Sequence, residues 1–391
     1  MQNGVSCLTL PMKLFEYEGA ELFRREGISV PHSSLASSPK EAKEKAQEIG
    51  LPVIIKAQVL TGGRYLAGGV RTAHVLDDVE RIATRILGSK IHGLPVDKVL
   101  ITRKLEIETE YYLAITVDSY QGTPVAIISS SGGVSINGTA SDKPESVVTK
   151  PISIIQGLPL QQARKMCREV GLIGKEAASV AEVLCSLYNI FRDYDALLAE
   201  INPLAKIKSG KLMAIDSKIE LDDSGLYRHP DIKFDKKSRI YNVLERKSKD
   251  VGVSYVELDG DIAIIASGAG LGMASMDIIN RRMDSANFLE TGGGITEELL
   301  YDVMDLVLQK EGIRAIFINV YGGINPIHEG AKGVVRYMQE HNITIPVVAK
   351  ALGNRQEETW EIFRNHGVHV VDGVSTESGI ELLSKVLKEA K

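Results

Sequence analysis

The chain has 391 residues, 44% of them hydrophobic and 25% charged, with a formal net charge of −5. That balance belongs to a soluble globular protein of two or three domains, and the negative charge argues against a nucleic-acid partner. Cys7, Cys167 and Cys185 follow no disulfide or zinc spacing, no run is long enough to span a membrane, and the opening MQNGVSCLTLPMKLFEY lacks the basic start of a signal peptide, so a reducing, cytoplasmic compartment is expected.

The first eleven or so residues read as an extension. Apolar residues at helical spacing across 13–26 then predict a helix that Gly27 stops. ISVPHSSLASSP reads as a short strand and turn, and Ser38-Pro39 opens a polar helix over 40–49. LPVIIKAQV is β-branched and predicts a buried strand, followed by a glycine-containing loop. VRTAH, a helix near 77–87, KVLITRKLEIETEYYLAITVD and VAIISSSGG complete an α/β unit. The stretch 159–192 is helical by its apolar spacing. ALLAEINPLAKI and KLMAIDSKIEL predict a hairpin turning at Lys208-Ser209-Gly210-Lys211. Residues 221–250 are polar, without strong periodicity, and are expected to link two domains, 12–245 and 246–391.

From about residue 255 the pattern changes. DIAIIASGAG, AIFINVYGG, TIPVVAKALG and HVVDG read as strands, each leading into a glycine-rich turn or a helix. Repeated β-loop-α units argue for a parallel sheet with helices on both faces and ligands beyond the strands' carboxyl ends.

Three constellations carry chemistry. Lys56 ends an apolar strand and is followed by Thr61-Gly62-Gly63-Arg64 and Gly68-Gly69. A phosphate chain needs cations and bare backbone N–H groups, and this segment supplies both; a simple bulge loop with an exposed lysine is the alternative. Glu200 and Asn202 share one face of a strand, and the hairpin can bring Asp216 opposite Asn202. A carboxylate and an amide oxygen suit Mg²⁺; solvated acids on an edge strand are the alternative. Glu110, in the acidic run LEIETEYY, either meets a ribose or base or lines a solvated face. The third constellation is a set of glycine-rich strand-to-helix turns at 268–270, 292–294 and 322–323, natural anion seats because helix N-termini expose free N–H groups. His328 is expected at the surface with Glu329 turned away from it, and the Met-containing turn 273–276 in the core.

Taken together, KLFEYEGAELFRREGISVP, IIKAQVLTGGRYLAGGV, LLAEINPLAKIKSGKLMAIDSKIE, SGAGLGMASMDII, NFLETGGG and INVYGGI resemble the beta subunits of succinyl-CoA synthetase, the ADP- or GDP-forming succinate–CoA ligases. The resemblance runs from about Lys13 to the C-terminus. It implies an α/β chain, an ATP-grasp fold followed by a flavodoxin-like parallel-sheet CoA-ligase domain. It also implies Mg²⁺, with ATP or GTP, CoA and a small carboxylic acid as substrates, and an alpha subunit that carries the phosphorylated histidine and the CoA site. By the same resemblance Lys56, Gly63, Arg64, Tyr65, Thr102 and Glu110 meet the nucleotide, Asn202 and Asp216 the metal, and Glu200 gates the phosphohistidine. The acid falls to Ser267, Gly323, Ile324 and Asn325.

The chain departs from the family pattern at several of these positions. Tyr65 stands for glycine, Leu66 for lysine, Thr102 for glutamate, Ser267 for asparagine, and Asn325 for a small apolar residue. The changes at 267 and 325 lead to the expectation of an acid other than succinate, malate and citrate ligases of the same superfamily being close alternatives. A non-catalytic nucleotide-binding partner is a third reading, kept open by Tyr65, Leu66 and Thr102.

Overall fold

Two long apolar segments, 107–118 and 196–207, pair antiparallel and form the spine of the first of two units. The structure, a computed structural model, describes residues 12–133, 146–232 and 239–389. It divides into Leu10–Phe234 and Asp235–Lys391. Cys7 and the N-terminal extension lie outside the described residues.

In the first unit the strands are β1 (Met12–Lys13), β2 (Ser33–Ala36), β3 (Val53–Ala57), β4 (Val70–Ala73), β5 (Lys90–Ile91), β6 (Leu94–Pro95), β7 (Val99–Arg103), β8 (Ile107–Asp118), β9 (Thr123–Ser129), β10 (Val147–Pro151), β11 (Ala196–Ile207), β12 (Leu212–Ala214) and β13 (Lys218–Leu221). The helices are α1 (Glu16–Arg25), α2 (Pro39–Ile49), α3 (Leu76–Ile86), α4 (Leu160–Glu169) and α5 (Gly174–Asp193). A small antiparallel sheet has the order β2-β7-β3-β4. Alanines of α2 and α3 (Ala42, Ala46, Ala83) pack closely on its Val53, Ile55, Val99 and Ile101. Helix α2 starts as its sequence predicts: Ser38 accepts a hydrogen bond from Glu41 N–H, Pro39 fills the first turn, and Gly50 ends it.

The larger sheet runs β1-β13-β11-β8-β9-β10, with β12 and β13 as successive pieces along one edge of β11. The expected hairpin is therefore broken. Pro203 has no N–H to give a ladder, and the register of β11 against β8 shifts between Ile201 and Leu204. Opposite this shift, residues 215–217 leave strand geometry, and Asp216 sits in the gap. Helices α1, α4 and α5 close the core over Tyr111, Leu113, Ile115 and Ile201.

The second unit contains α6 (Val243–Val251), β14 (Ser254–Glu257), β15 (Ile262–Ala266), α7 (Ala269–Ile279), β16 (Asn287–Glu290), α8 (Glu297–Leu308), β17 (Ala315–Gly322), α9 (His328–Glu340), β18 (Val347–Gly353), α10 (Gln356–Asn365), β19 (His369–Val371) and α11 (Thr376–Glu389). Its strand order is β14-β16-β15-β17-β18-β19, parallel except for β14. Read from β15, this is the 2-1-3-4-5 order of a flavodoxin-like sheet with one antiparallel edge strand added. Helices α7 and α11 cover one face and α8, α9 and α10 the other. The switch point lies between β15 and β17, so the loops that begin at Ser267 and Gly323 flank it.

Three expectations are corrected. Residues 243–251 are not linker but helix, because Asn242 caps the N-terminus through Leu244 and Glu245 N–H, Gly252 closes it in a left-handed conformation, and Leu244 is buried. Met273 is 36% exposed on α7, since only the Met276 side of that helix faces the sheet. His328 is buried at 4% exposure, because it begins α9 beneath Arg355 and Glu358 of the next connection. Its Nε2 lies 2.9 Å from Glu329 Oε1, so Glu329 does face it, while its Nδ1 has no hydrogen-bond partner.

Glu176 joins three elements of the first unit. From the first turn of α5 it accepts from Tyr111 Oη of β8 at 2.6 Å and Lys206 Nζ of β11 at 2.7 Å. Lys206, then Tyr111, hold its carboxyl below the usual glutamate range. The stabilisation is therefore present above the unfolded-state glutamate pKa and is lost as pH falls through the folded one. Glu176→Gln should cost about 1 kcal/mol near neutral pH, with variant and parent converging in acid; urea unfolding across pH measures the difference.

Candidate nucleotide and acid sites

The glycine loop turns its arginine inward. Gly63 has φ of +71°, a conformation that favours glycine, and the chain then coils so that Ala67 N–H donates to Gly63 C=O and Gly69 N–H to Arg64 C=O. Arg64 Nη2 thereby reaches both oxygens of Asp216 at 2.7 Å, and Nη1 reaches Ala57 C=O at 2.9 Å and Glu16 Oε2 at 2.8 Å. Tyr65 and Leu66 are left at the tip, 63% and 77% exposed. The exposed-lysine alternative fails: Lys56 is 5% exposed and donates to Glu16 Oε1 at 2.6 Å and to Ile215 C=O at 2.7 Å.

The break in β11 gathers the second group. Asn202 Oδ1 accepts from Gly133 N–H at 2.7 Å, and Gly132 N–H donates to Glu110 C=O. Gly133, with φ of +86°, packs so near Glu110 that a methyl group there would come within 2.8 Å of Oε2. Ile215 N–H donates to Pro203 C=O, which draws Asp216 alongside. Thr102 lines a cavity of about 10 Å³ together with Glu16, Asp216 and Ser217. A second pocket of 340 Å³, lined by Tyr17, Glu18, Arg24, Ser33, Leu35 and Leu100, contains none of the expected site residues.

Charge is unevenly shared in this array. Burial opposes ionisation of Glu16, but Lys56 and Arg64 outweigh it and hold the carboxyl below its usual range. Asp216 is pushed up by burial, against Arg64, with Glu16's charge adding to the rise. Glu200 is raised by burial, opposed by Lys218 and reinforced by Asp216. Burial works against the Arg64 charge, yet the two carboxylates raise its pKa further, so it stays protonated.

The oxygens of this site fit a small hard cation bound mainly by phosphate and water. Asp216, 37% exposed, keeps lone pairs beyond its Arg64 contact, and Asn202 Oδ1 keeps one beyond Gly133. Among the described residues no cluster of three or more His, Cys, Asp or Glu side chains forms a metal cage.

In the second unit, Ser267 N–H donates to Asn319 C=O at 3.3 Å, and Ser267 Oγ accepts from Tyr321 N–H at 2.8 Å. Asn325 Nδ2 donates to Gly293 C=O, and Asn354 Nδ2 to Ile324 C=O. The loop thus presents Gly323 and a 92% exposed Ile324, while the polar groups at 267 and 325 bond to backbone.

Glu16, Gln58 and Ser217 belong to the first array, and sequence reasoning missed them. Glu16 lies on the amphipathic helix α1, where an acid in the first turn reads as an ordinary partner of the helix dipole. Burial was the only distinguishing property, and periodicity places Glu16 too near the helix start to reveal it.

The family model of the ATP-grasp domain matches residues 13–206, and that of CoA-ligase matches residues 265–381. Fold and site therefore define a nucleotide-dependent acid–CoA ligase subunit of the beta type. The chain is 39% identical over 349 residues to the beta subunit of an ADP-forming succinate–CoA ligase from Roseiflexus sp. (strain RS-1), covering 89% of this chain and 92% of the relative. It is also 39% identical over 360 residues to a GDP-forming beta subunit from Thermus thermophilus, covering 92% and 95%. The chain belongs to the family of succinate–CoA ligase beta subunits. ATP citrate lyase from Methanothrix soehngenii, in complex with citrate and coenzyme A, shares the fold at a TM-score of 0.76 and 17% identity, over 97% of this chain and 100% of that one. Among the described residues no helix is long and apolar enough to cross a membrane.

Thr102 offers a clean test of site against scaffold. Its Oγ1 is buried without a partner. Thr102→Val should leave stability unchanged or raise it by up to about 1 kcal/mol, since an unpaired hydroxyl is removed at nearly constant shape. Urea unfolding gives the stability; a loss beyond that would show that the hydroxyl has a partner in solution.

Proposed function

We propose that this chain is the nucleotide-binding subunit of a complex that joins a small carboxylic acid to CoA at the expense of ATP or GTP, in the cytoplasm. The observation that carries the reading is the chain of contacts from Lys56 through Glu16 and Arg64 to Asp216, which the Ile215 N–H to Pro203 C=O bond holds beside the strand break next to Asn202. Cations, loop amides and two side chains whose oxygens keep lone pairs beyond their present bonds lie close together, as a nucleotide with its phosphates requires. Asn202 and Asp216 would hold Mg²⁺, which when bound neutralises phosphate charge. Lys56 has a third N–H beyond its two bonds, which would serve the β- or γ-phosphate. Arg64 braces Asp216, and its loop offers backbone N–H groups. Glu110 and Thr102 face the sugar or base.

The terminal phosphoryl group passes from the nucleotide to a histidine of a partner alpha subunit, releasing the nucleoside diphosphate. Glu200, its pKa raised by burial, stands near that transfer. The acid's carboxylate then takes the phosphoryl group from the histidine, and the CoA thiol displaces inorganic phosphate from the acyl phosphate. The CoA site and the phosphohistidine belong to the alpha subunit in this reading. Asp216→Ala should abolish nucleotide-dependent thioester formation by the assembled complex while the subunits still associate; retained activity would refute the metal assignment.

The acid is the second part of the proposal. Ser267 is shorter than the family's asparagine, and its hydroxyl is already bonded to Tyr321 N–H. Asn325 turns its amide to Gly293 C=O. Neither offers an acid the side-chain amide that the family pattern supplies at 267. Polar groups that a ligand leaves unmatched discriminate strongly between similar ligands, so a change of polar groups at 267 and 325 changes which acid is matched. An acid other than succinate, with malate and citrate as first candidates, is therefore expected to give the highest kcat/KM in a panel assayed with the partner subunit. A clear preference for succinate would overturn this part and leave the phosphoryl chemistry standing.

A further inference from the structure

The nucleotide reading above, on which this inference rests, assigns roles to Lys56, Arg64 and Asp216 and none to Glu16. We propose that Glu16 is a positioning residue that couples the phosphate-side cation to the metal-side carboxylate, so that nucleotide and divalent cation are bound as one unit.

Its carboxylate is divided between the two cations: Oε1 accepts from Lys56 Nζ at 2.6 Å and Oε2 pairs with Arg64 Nη1 at 2.8 Å. Each cation is fixed on its far side to the segment that carries Asp216. Lys56 donates to Ile215 C=O at 2.7 Å, and Arg64 grips Asp216 itself at 2.7 Å. Glu16 is tied to the same segment through its backbone, because Ser217 Oγ donates to Glu16 C=O at 2.9 Å while Ser217 N–H donates to Asp216 Oδ1 at 2.8 Å. Gln58 Nε2 supports the carboxylate from the other side at 3.4 Å.

Side-chain exposure sets the order of these groups: 5% for Glu16, 6% for Lys56, 10% for Arg64 and 37% for Asp216. Glu16 is at the closed end and Asp216 at the open end. Glu16 therefore meets no substrate and acts through the residues that do. The two carboxylates and two cations are balanced. When a divalent cation draws Asp216 away from Arg64, Glu16 keeps Arg64 paired; when a phosphate draws on Lys56, Glu16 keeps that ammonium in place. Without the Glu16 carboxylate, releasing Asp216 would strand a buried guanidinium, so Arg64 would compete with the cation for Asp216. The binding of nucleotide would then gain less from the metal.

The experiment is calorimetric titration of ADP into the full chain with and without MgCl₂. Its subjects are the parent, Glu16→Gln and Glu16→Asp, with Lys56→Ala and Asp216→Ala as references and thermal melts as a check on folding. In Glu16→Gln the affinity for ADP should fall roughly tenfold, about what one charge-assisted hydrogen bond is worth, and the enhancement by MgCl₂ should shrink. Glu16→Asp keeps the charge but is one methylene short of spanning both cations, so it should fall between. If the glutamine variant does not fold, the aspartate variant decides. Parental enhancement by MgCl₂ in either folded variant, or an equal loss with and without MgCl₂, would overturn the proposal. If Lys56→Ala and Asp216→Ala bind Mg-ADP as the parent does, the nucleotide reading itself falls, and this inference with it. If those two weaken while the Glu16 variants do not, only the role of Glu16 falls.

Discussion

A carboxylate taken out of water beside two cations sets the geometry of the first unit's site. Glu16, with its side chain at 5% exposure, could not remain charged alone, since an unpaired buried ion costs several kcal/mol. Lys56 and Arg64 lie under the same constraint. Each is tolerable only because the others are present, and together they fix where the glycine loop begins, which way Arg64 turns and where Asp216 is held. Such a cluster need not add net stability, because apolar side chains of similar volume would fill the space as well. What it provides is a set of charged groups held at defined distances before any ligand arrives, the condition under which electrostatic stabilisation of a phosphoryl group is effective.

The cluster depends in turn on a fault in a sheet. β11 has apolar residues at Ile201 and Leu204 that belong in the core, and both are fully buried. Between them the chain must accommodate two residues while the ladder to β8 shifts register. Pro203 makes the shift cheap because it has no N–H to leave unpaired. Asn202 is released from the ladder and takes Gly133 N–H instead, and on the opposite edge Asp216 is freed in the same way. A continuous hairpin would have committed the backbone through this region to strand pairing and pointed these side chains alternately up and down.

Much of this was legible in the sequence. The helices over 160–169 and 174–193, the parallel strands from Ile262 onward and the return of the chain from β11 through β12 all follow from periodicity, turn chemistry or spacing, whereas the direct pairing of Asn202 with Asp216 does not form. Each is a local pattern with a single dominant cause. The Glu16 contacts could not be read, because they join α1 to a strand 40 residues away and a loop 48 residues away, and a charged residue in a helix's first turn has an adequate local explanation. Arg64 was legible as a cation near a phosphate loop but not as one turned inward, since its direction is set by the coil from Gly63 to Gly69 and by the carboxylates that meet it. His328 misled for the opposite reason: its polarity and helix-start position suggest exposure, and burial came from Arg355 and Glu358 of a different connection. The antiparallel strand β14 escaped because four residues of mixed polarity carry too little period to distinguish strand from loop.

In the second unit the fold leaves the residues around the switch point free to vary. In the 2-1-3-4-5 order the crevice opens beyond β15 and β17, whatever the side chains are. Position 267 follows one of these strands and 323–325 the other, so the surroundings of any ligand in that crevice would be set by a few loop residues that the sheet core does not constrain. The core beneath, Ile264, Ile265, Ile316, Phe317 and Ile318, is fully buried and governs only packing. Substitution in the loops can therefore change which polar groups face the acid without disturbing the fold. Here the exchange has gone further than a change of side chain. Ser267 is bonded to Tyr321 N–H, and Asn325 to Gly293 C=O, so the loops after β15, β16 and β17 are tied to one another by side-chain-to-backbone hydrogen bonds. The hydroxyl lone pair of Ser267 and the amide N–H of Asn325 that join the loops are not free for a ligand, while Ile324 between them is exposed. A ligand recognised there has to bring polar groups that match free backbone N–H groups, which favours carboxylates and hydroxyls over extended apolar chains.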